Sequence, residues 1–510
     1  MTLPEIQALA AGNQWGAIWP ELLLGCLALA LLLLEIVLPK AAHRHIPSVA
    51  IVGQAVILGA ILARVVPAPA SPSVFNGLLF LGPLARAMRV FFLASSILAC
   101  LLARVVLARQ SVAKVEFTTI LLVIAGAMML LVESHNFVML FVALETLTVG
   151  FYILVPYFRD SALSLEAGLK YLIIGALSSA LLLLGIVLLY GVAGNPSLPA
   201  HTAAGMDYDA LRLFLAANPR CFLANAGVVL VLSGLAFKVG AFPFQFWIPD
   251  VYQGAPTPVT AFLAVASKGA GVVVLLLLAE NVFASYAGLV VPVLKYLAVA
   301  TILFGNLAAL SQPNVKRLIG LSGVSHAGFM LLAVIAGLNE SPGSDAVLFS
   351  RGAVLVYLYA YLFASFAVFG VMAHVAGPDD ADQQLEHYSG LAKRDPFLAA
   401  ILAIGLGSLA GIPPLAGFLG KFLVFLAAFR AHLYGLLAVA VIGVVLSIYY
   451  YFGWIRAAYF SDDSAISPEV AHRARAGGGT ALRIVLAVLA AATVVLGVYQ
   501  GPLGRLVSGR

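Results

Sequence analysis

Charge is what this sequence has least of. Only 10% of its 510 residues are Asp, Glu, Lys or Arg, against 63% hydrophobic, and the mean hydropathy is +1.06. A soluble domain carries about 25% charged and roughly 45–50% apolar residues. So few charges cannot build a water-facing exterior, so lipid is the solvent expected around most of the chain. Cysteine is scarce as well. Cys26, Cys100 and Cys221 lie far apart in apolar runs, with no CxxC and no Cys/His cluster, which argues against a disulfide frame, an iron–sulfur cluster or a zinc site. No GxGxxG follows a strand and no Walker sequence occurs, so nucleotide binding has no support. The start, Met1-Thr-Leu-Pro-Glu5, lacks the basic stretch of a signal peptide, and 16–38 is expected to stay as a first helix. The net charge of +6 is assigned to Lys and Arg on cytoplasmic loops, with no nucleic-acid partner.

What is there is a succession of apolar runs. A spanning helix needs about 20 mainly apolar residues. That window predicts an all-α polytopic membrane protein of about fourteen transmembrane helices. They fall near 16–38, 47–66, 87–108, 116–133, 136–157, 166–191, 221–248, 256–279, 288–310, 318–338, 350–374, 397–429, 434–459 and 481–500, with 75–92 and 240–260 ambiguous. Lys40/Arg44, Arg104/Arg109/Lys114, Arg159, Lys316/Arg317, Lys393/Arg394 and Arg473/Arg475 crowd alternate loops. By the positive-inside rule those loops are cytoplasmic, and an even span count puts both termini outside, on the periplasmic side. Arg212, Arg220 and Arg430 are exceptions. The longer loops are 192–218, 376–396 and 460–480. Gly477-Gly478-Gly479 looks like a flexible lead into the last helix. The acidic stretch Asp379 to Asp395 is either a helix along the membrane surface or a bare linker.

Several charges fall where charge is expensive. An ionisable side chain at the bilayer centre is disfavoured by about 2.5–3.5 kcal/mol on insertion scales. Glu145, Lys238, Lys268 and Lys421 each sit well inside an apolar run, and His326 is close to the centre of its helix. A single buried lysine can snorkel to the interface, and a lone Glu or His can be interhelical glue. Four ionisable groups in mid-span, with no metal or cofactor motif, point instead to a proton or cation pathway. Desolvation lowers a lysine's pKa and a nearby carboxylate raises it, so a pair such as Glu145 and Lys238 makes a switch near neutral pH. Glu166 and Lys170, spaced i,i+4 on one helix face, are either a relay or a structural ion pair.

Two of these lysines adjoin broken helices. Pro243 and Pro249 follow Lys238, while Pro413-Pro414 and Gly417 precede Lys421. Proline removes a backbone donor, and irregular backbone at membrane depth is tolerated only inside protein or beside water. Twice repeated, the pattern predicts two inverted five-helix repeats, each with a broken helix. The expected organisation is N-terminal helices over 1–115, a first repeat over 116–285, a second over 286–460, and a loop with the last helix over 461–510.

Particular strings carry a resemblance. Glu166-Ala-Gly-Leu-Lys170-Tyr-Leu, Phe242-Pro-Phe-Gln-Phe-Trp-Ile-Pro-Asp250-Val-Tyr-Gln-Gly-Ala-Pro-Thr-Pro258 and Gly411-Ile-Pro-Pro-Leu-Ala-Gly-Phe-Leu-Gly-Lys421-Phe resemble the antiporter-like membrane subunits of respiratory complex I. Leu144-Glu145 and Ser325-His326-Ala-Gly-Phe329 add to it, over about residues 75 to 460. Lys421 and the Asp-Val-Tyr-Gln-Gly string point to one branch of that family; other branches carry Glu at the former. The resemblance implies a proton-translocating subunit of a bacterial inner-membrane NADH–quinone reductase, partnered by the other membrane subunits. NADH, FMN, iron–sulfur clusters and quinone are then bound by partner subunits, and no cofactor is expected here. It further implies Glu145 and Lys238 as the gating pair, Lys268 as central relay, Lys421 as exit-side carrier and His326 as connector. One departure is Gln245, where the family commonly has His. The competing readings are a subunit of a multisubunit Na⁺/H⁺ antiporter and a scaffold whose buried charges are fixed ion pairs.

Overall fold

The computed structural model describes residues 13–65, 71–341, 343–376, 379–460, 480–501 and 504. Its helices follow the apolar runs. They are α1 (Trp19–Val37), α2 (Ile46–Leu62), α3 (Pro83–Val106), α4 (Val115–Glu133), α5 (Phe137–Leu154) and α6 (Ala162–Ala193), then α7 (Tyr208–Ala217), α8 (Phe222–Val239) and α9 (Ile248–Gly254). α10 (Thr257–Phe262) continues through a π turn, Leu263–Ser267, into α11 (Lys268–Asn281). There follow α12 (Ala287–Ala309), α13 (Val315–Leu338), α14 (Asp345–Val375), α15 (Pro396–Ala410), α16 (Ala416–Arg430), α17 (Tyr434–Phe460) and α18 (Thr480–Val498). Among the described residues, thirteen helices are long and apolar enough to cross a membrane; α15 and α16, at 15 residues each, are not among them.

Lipid-facing helices stay apolar on the outside, because the bilayer rewards apolar surface on every face. Leu29, Leu33, Val52, Val56, Ile173 and Val445 are all exposed. The polar interior is elsewhere. α13 is buried along its span except at Arg317 in its first turn, and α10 with α11 and α14 nearly so, whereas only a third of α6, α12 and α17 is buried. Close approach depends on small residues. A Cβ on Gly185 would sit 2.8 Å from the Gly227 carbonyl, so α6 and α8 meet backbone to backbone there.

The two breaks are built alike. α8 ends at Gly240 (φ 77°) and α15 at Gly411 (φ 88°), both left-handed, where a side chain would be strained. Each glycine is followed two residues later by a cis X–Pro bond, Phe242–Pro243 and Pro413–Pro414. The expected spans 221–248 and 397–429 are therefore interrupted where their prolines and glycines predict. Other expectations are corrected. The ambiguous 75–92 holds a hairpin, β1 (Ser73–Val74) with β2 (Leu79–Phe80), before α3 begins. The 192–218 connection contains α7.

The acidic stretch after 378 is neither a surface helix nor a bare linker. Asp380 is buried and accepts from Thr257 N and Oγ1 at 2.7 and 2.8 Å, at the start of α10, while Lys316 Nζ lies 3.2 Å away. Tyr388, fully buried, packs edge-on against Trp454. The segment plugs one end of the bundle. Arg473, Arg475 and Gly477-Gly478-Gly479 lie outside the described residues.

Candidate functional site

Three buried lysines and a buried histidine come from four helices, α8, α11, α13 and α16. Lys238, at the last turn of α8, is 7% exposed; Lys268 and His326 are 3%, and Lys421 is 4%. None of the three lysines has a carboxylate within ion-pair distance among the described residues. Each ammonium instead meets an uncharged oxygen. Lys238 Nζ donates to Thr148 Oγ1 at 2.5 Å, Lys268 Nζ to the Gly323 carbonyl at 2.7 Å, and Lys421 Nζ to the Ala410 carbonyl at 2.8 Å. A buried cation satisfied only by neutral dipoles is held less firmly than one in an ion pair.

Local folding explains these positions. Lys268 opens α11 directly after the π turn, an irregularity that often marks functional sites. A Cβ at Gly323 would come 2.6 Å from the Lys268 ammonium, so the glycine leaves the room the side chain needs. Gly271 does the same for Lys238, whose Cβ lies 3.2 Å from where a side chain would begin. The π turn thus puts Lys268 on α13 while the following turn packs on α8. Lys421 reaches back across its break to the last carbonyl of α15, at the negative end of that half-helix.

His326 lies between the lysines of α11 and α16. Its Nδ1 is 2.6 Å from the Tyr357 hydroxyl and its Nε2 3.1 Å from that of Tyr451. The Tyr361 ring lies against the His326 ring, and the Lys268 ammonium sits 5.5 Å from the same ring. A cavity of about 10 Å³, lined by His326, Tyr357, Tyr361, Ser408 and Lys421, separates His326 from Lys421. That is about the room one water needs. Lys268, His326 and Lys421 therefore follow one another in space, and Lys238 packs against the turn after Lys268, at Gly271.

The other expected residues stand apart from the row to different degrees. Glu145 is half-buried and does not touch Lys238; it accepts from Ser179 Oγ at 2.5 Å. Thr148, the hydrogen-bond partner of Lys238, lies one turn along α5 from Glu145. Glu145 also lines an open apolar groove on the outer face of α4 and α5. Glu166 and Lys170 are at a rim of the bundle, half exposed. Lys170 Nζ lies 2.6 Å from both Glu166 and Asp250, and Arg317 is 2.6 Å from the other oxygen of Asp250. Burial pushes the Asp250 carboxyl up, but hydrogen bonds from Lys170 and Arg317 outweigh it and hold it below its ordinary value. This network ties α6, α9 and α13 together. It resembles the structural ion pair more than the relay.

Gln245 is fully buried, with neither amide oxygen nor nitrogen bonded to protein. Thr148, Ser179, Tyr357 and Tyr451 were not singled out from sequence. The only advance signal was three tyrosines, 357, 359 and 361, in the middle of an apolar run.

Comparisons with known proteins agree with this geometry. A family profile described as "NADH:quinone oxidoreductase/Mrp antiporter, TM" matches residues 134–447. "NADH-quinone oxidoreductase subunit N 1" of Opitutus terrae is 61% identical, over 100% of both chains. A chain of respiratory complex I from Thermus thermophilus with bound aureothin superposes with a TM-score of 0.76 at 29% identity, covering 96% of this chain and 99% of that one. A chain of the Mrp complex from a Dietzia species gives 0.79 at 20% identity, covering 97% of each, a likeness of fold.

Proposed function

The chain belongs to the NADH:quinone oxidoreductase/Mrp antiporter family of membrane subunits, on its NADH-quinone oxidoreductase subunit N branch, and we propose that it moves protons along the row Lys238, Lys268, His326 and Lys421. The carrying observation is that Lys238, Lys268 and Lys421, all buried, have neutral partners and that water-sized space links the last of them to His326. In this reading Glu145 modulates Lys238 through Thr148, and the redox groups that drive the movement are held by partner subunits. An ammonium passes its proton to the next station through hydroxyl or water and takes up another from the preceding one. Moving one charge across 100 mV requires about 2.3 kcal/mol, and a change of one pKa unit between two states is worth about 1.36 kcal/mol. Modest changes in lysine solvation are therefore enough to work against a membrane potential.

The matched breaks support treating 116–285 and 286–460 as two repeats. Lys316, Arg317, Lys170, Lys393 and Arg394 gather toward one rim, which we assign to the cytoplasm, leaving both termini outward in a bacterial inner membrane. The Na⁺/H⁺ antiporter alternative is less favoured, since identity to the Mrp chain is 20% against 61% to the O. terrae subunit. The test is to capture the tagged chain from gently solubilised membranes and assay NADH oxidation. Co-purifying NADH–quinone reductase activity is expected. Membrane partners with Na⁺-dependent proton exchange and no redox activity would overturn the reading.

A further inference from the structure

Away from the lysine row, three charged side chains from three helices meet under the β-hairpin. Arg89 of α3 presents a fork to Glu21 of α1, with Nε donating to Oε1 at 2.8 Å and Nη2 to Oε2 at 3.0 Å. The same Nη2 donates to the Ala17 carbonyl at 3.0 Å. Glu133, the last residue of α4, has Oε1 only 2.6 Å from Arg89 Nε. Yet the single Nε–H is aimed at Glu21, and neither oxygen of Glu133 receives a hydrogen bond. Glu133 is 1% exposed. Ala17, Ile18, Val74 and Leu79 form a small apolar cluster over this end of the helices, and the hairpin is pinned to the turn after Glu133 by His135 N donating to the Leu78 carbonyl.

The charges do not balance. Two carboxylates around one guanidinium leave a net negative charge out of water, and Glu133 would then hold a bare anionic carboxylate with no donor. A buried charge left in that state is strongly disfavoured. Adding a proton removes the problem. The Glu133 and Glu21 carboxyls, both on Arg89 Nε, are also within hydrogen-bonding reach of each other, so the Glu133 hydroxyl has the Glu21 carboxylate beside it as acceptor. A metal cation is the wrong occupant, because the guanidinium within hydrogen-bond distance of both carboxyls repels it. The groups facing Glu133 are Glu21 from α1 and Arg89 from α3; the nearby His135 is turned to Asp209, 3.1 Å away.

We propose that Glu21, Arg89 and Glu133 form a proton-binding site in which the two carboxyls share one proton. The cavity beside it supplies the exchange route. About 720 Å³ in volume, it is lined by Phe80, Val132, Ser134, His135, Tyr208 and Arg351, so the residues on either side of Glu133 border it. The site is at the rim opposite the Lys170–Asp250–Arg317 network and shares no residue with the lysine row. It loads from that side independently of the row.

Infrared difference spectroscopy of the captured assembly, whichever complex that is, across a pH titration tests this. The wild type should show one buried protonated carboxyl that persists at neutral pH. Glu133→Gln should assemble, since an amide mimics the protonated acid, and should lose that signal. Glu21→Gln should lose it as well, because Arg89 is then free to pair with Glu133 as a carboxylate. A signal that survives either substitution, or is missing in the wild type, overturns the proposal. So does failure of both Gln variants to assemble, since a fixed ionised triad, and not a neutral acid, would require both charges.

Discussion

In the first broken helix the lysine comes before the break: Lys238 is in the last turn of α8, two residues ahead of the left-handed Gly240. In the second it comes after, with Gly411 ending α15 and Lys421 ten residues on, in α16. Counting from the glycines, the position of Lys421 corresponds to Asp250, which is part of the rim ion network and not of the row. Even so, both ammonium groups finish near the C-terminal end of the half-helix that precedes the break. That end carries partial negative charge on unsatisfied carbonyls and favours a cation. The backbone device is the same in both, and the charge is delivered to it from opposite sides. A fixed geometric feature can thus be served by residues that do not align.

The largest expected effect tests whether the two lysines are equivalent. Lys238→Met and Lys421→Met should each lower proton pumping by tenfold or more, about 1.4 kcal/mol or greater in barrier terms. Neither should lower the melting temperature of the assembled complex, because replacing a desolvated cation that has no ionic partner by an apolar isostere relieves burial cost. Normal pumping in one variant alone would end the likeness between the breaks. Joint loss of assembly and pumping in both would favour the fixed-scaffold reading.

Next in size is a change at the acceptor. Thr148→Val removes the side-chain partner of Lys238, and a hydrogen bond to a charged group is worth about 1.5–3 kcal/mol. Pumping should fall roughly tenfold, with Ser179→Ala causing a smaller loss because it acts on Glu145 alone. The second break offers no such side chain, since Lys421 bonds to backbone. Its counterpart is the glycine. Gly240→Ala and Gly411→Ala should each cost about 1–2 kcal/mol of stability for the left-handed conformation, read as matched losses in thermal unfolding. Unequal losses would show that the breaks are less alike than their backbones.

The smallest effect concerns Asp250, the residue aligned with Lys421. Its carboxyl is held below the ordinary value of 3.8 by Lys170 and Arg317 against the opposing pull of burial. A depressed carboxyl adds stability that is present above the unfolded value and lost as pH falls through the folded one. Unfolding measured against pH should therefore weaken below about pH 4, and Asp250→Asn should flatten that dependence. At neutral pH the change should stay under about 1 kcal/mol, as for other solvent-screened pairs. A large neutral-pH loss of pumping in Asp250→Asn would instead join the rim network to the row.

Membrane class, the approximate spans, the buried lysines and the existence of two breaks were all legible in the residue order. The reason is that lipid imposes its rules locally. Every span must be apolar for about 20 residues, and a charge or a Pro–Gly cluster inside it stands out without reference to any other segment. What the chain order does not carry is which groups face each other across helices. Glu145 and Lys238 suggest an ion pair by chemistry, but Thr148 and Ser179 take their hydrogen bonds. Glu166 and Lys170 read as either a relay or a structural ion pair, and their contact at the rim with Asp250, itself bonded to Arg317, is not visible in the spacing. The acidic stretch around Asp380 reads as a surface helix or a bare linker and is buried against Lys316 and Thr257. Glu21, Arg89 and Glu133, more than a hundred residues apart at the extremes, form one site only because α1, α3 and α4 pack together under a hairpin. Spacing along one helix fixes a face within a few residues, whereas pairings between helices depend on packing of the whole bundle, and there only the tertiary structure decides.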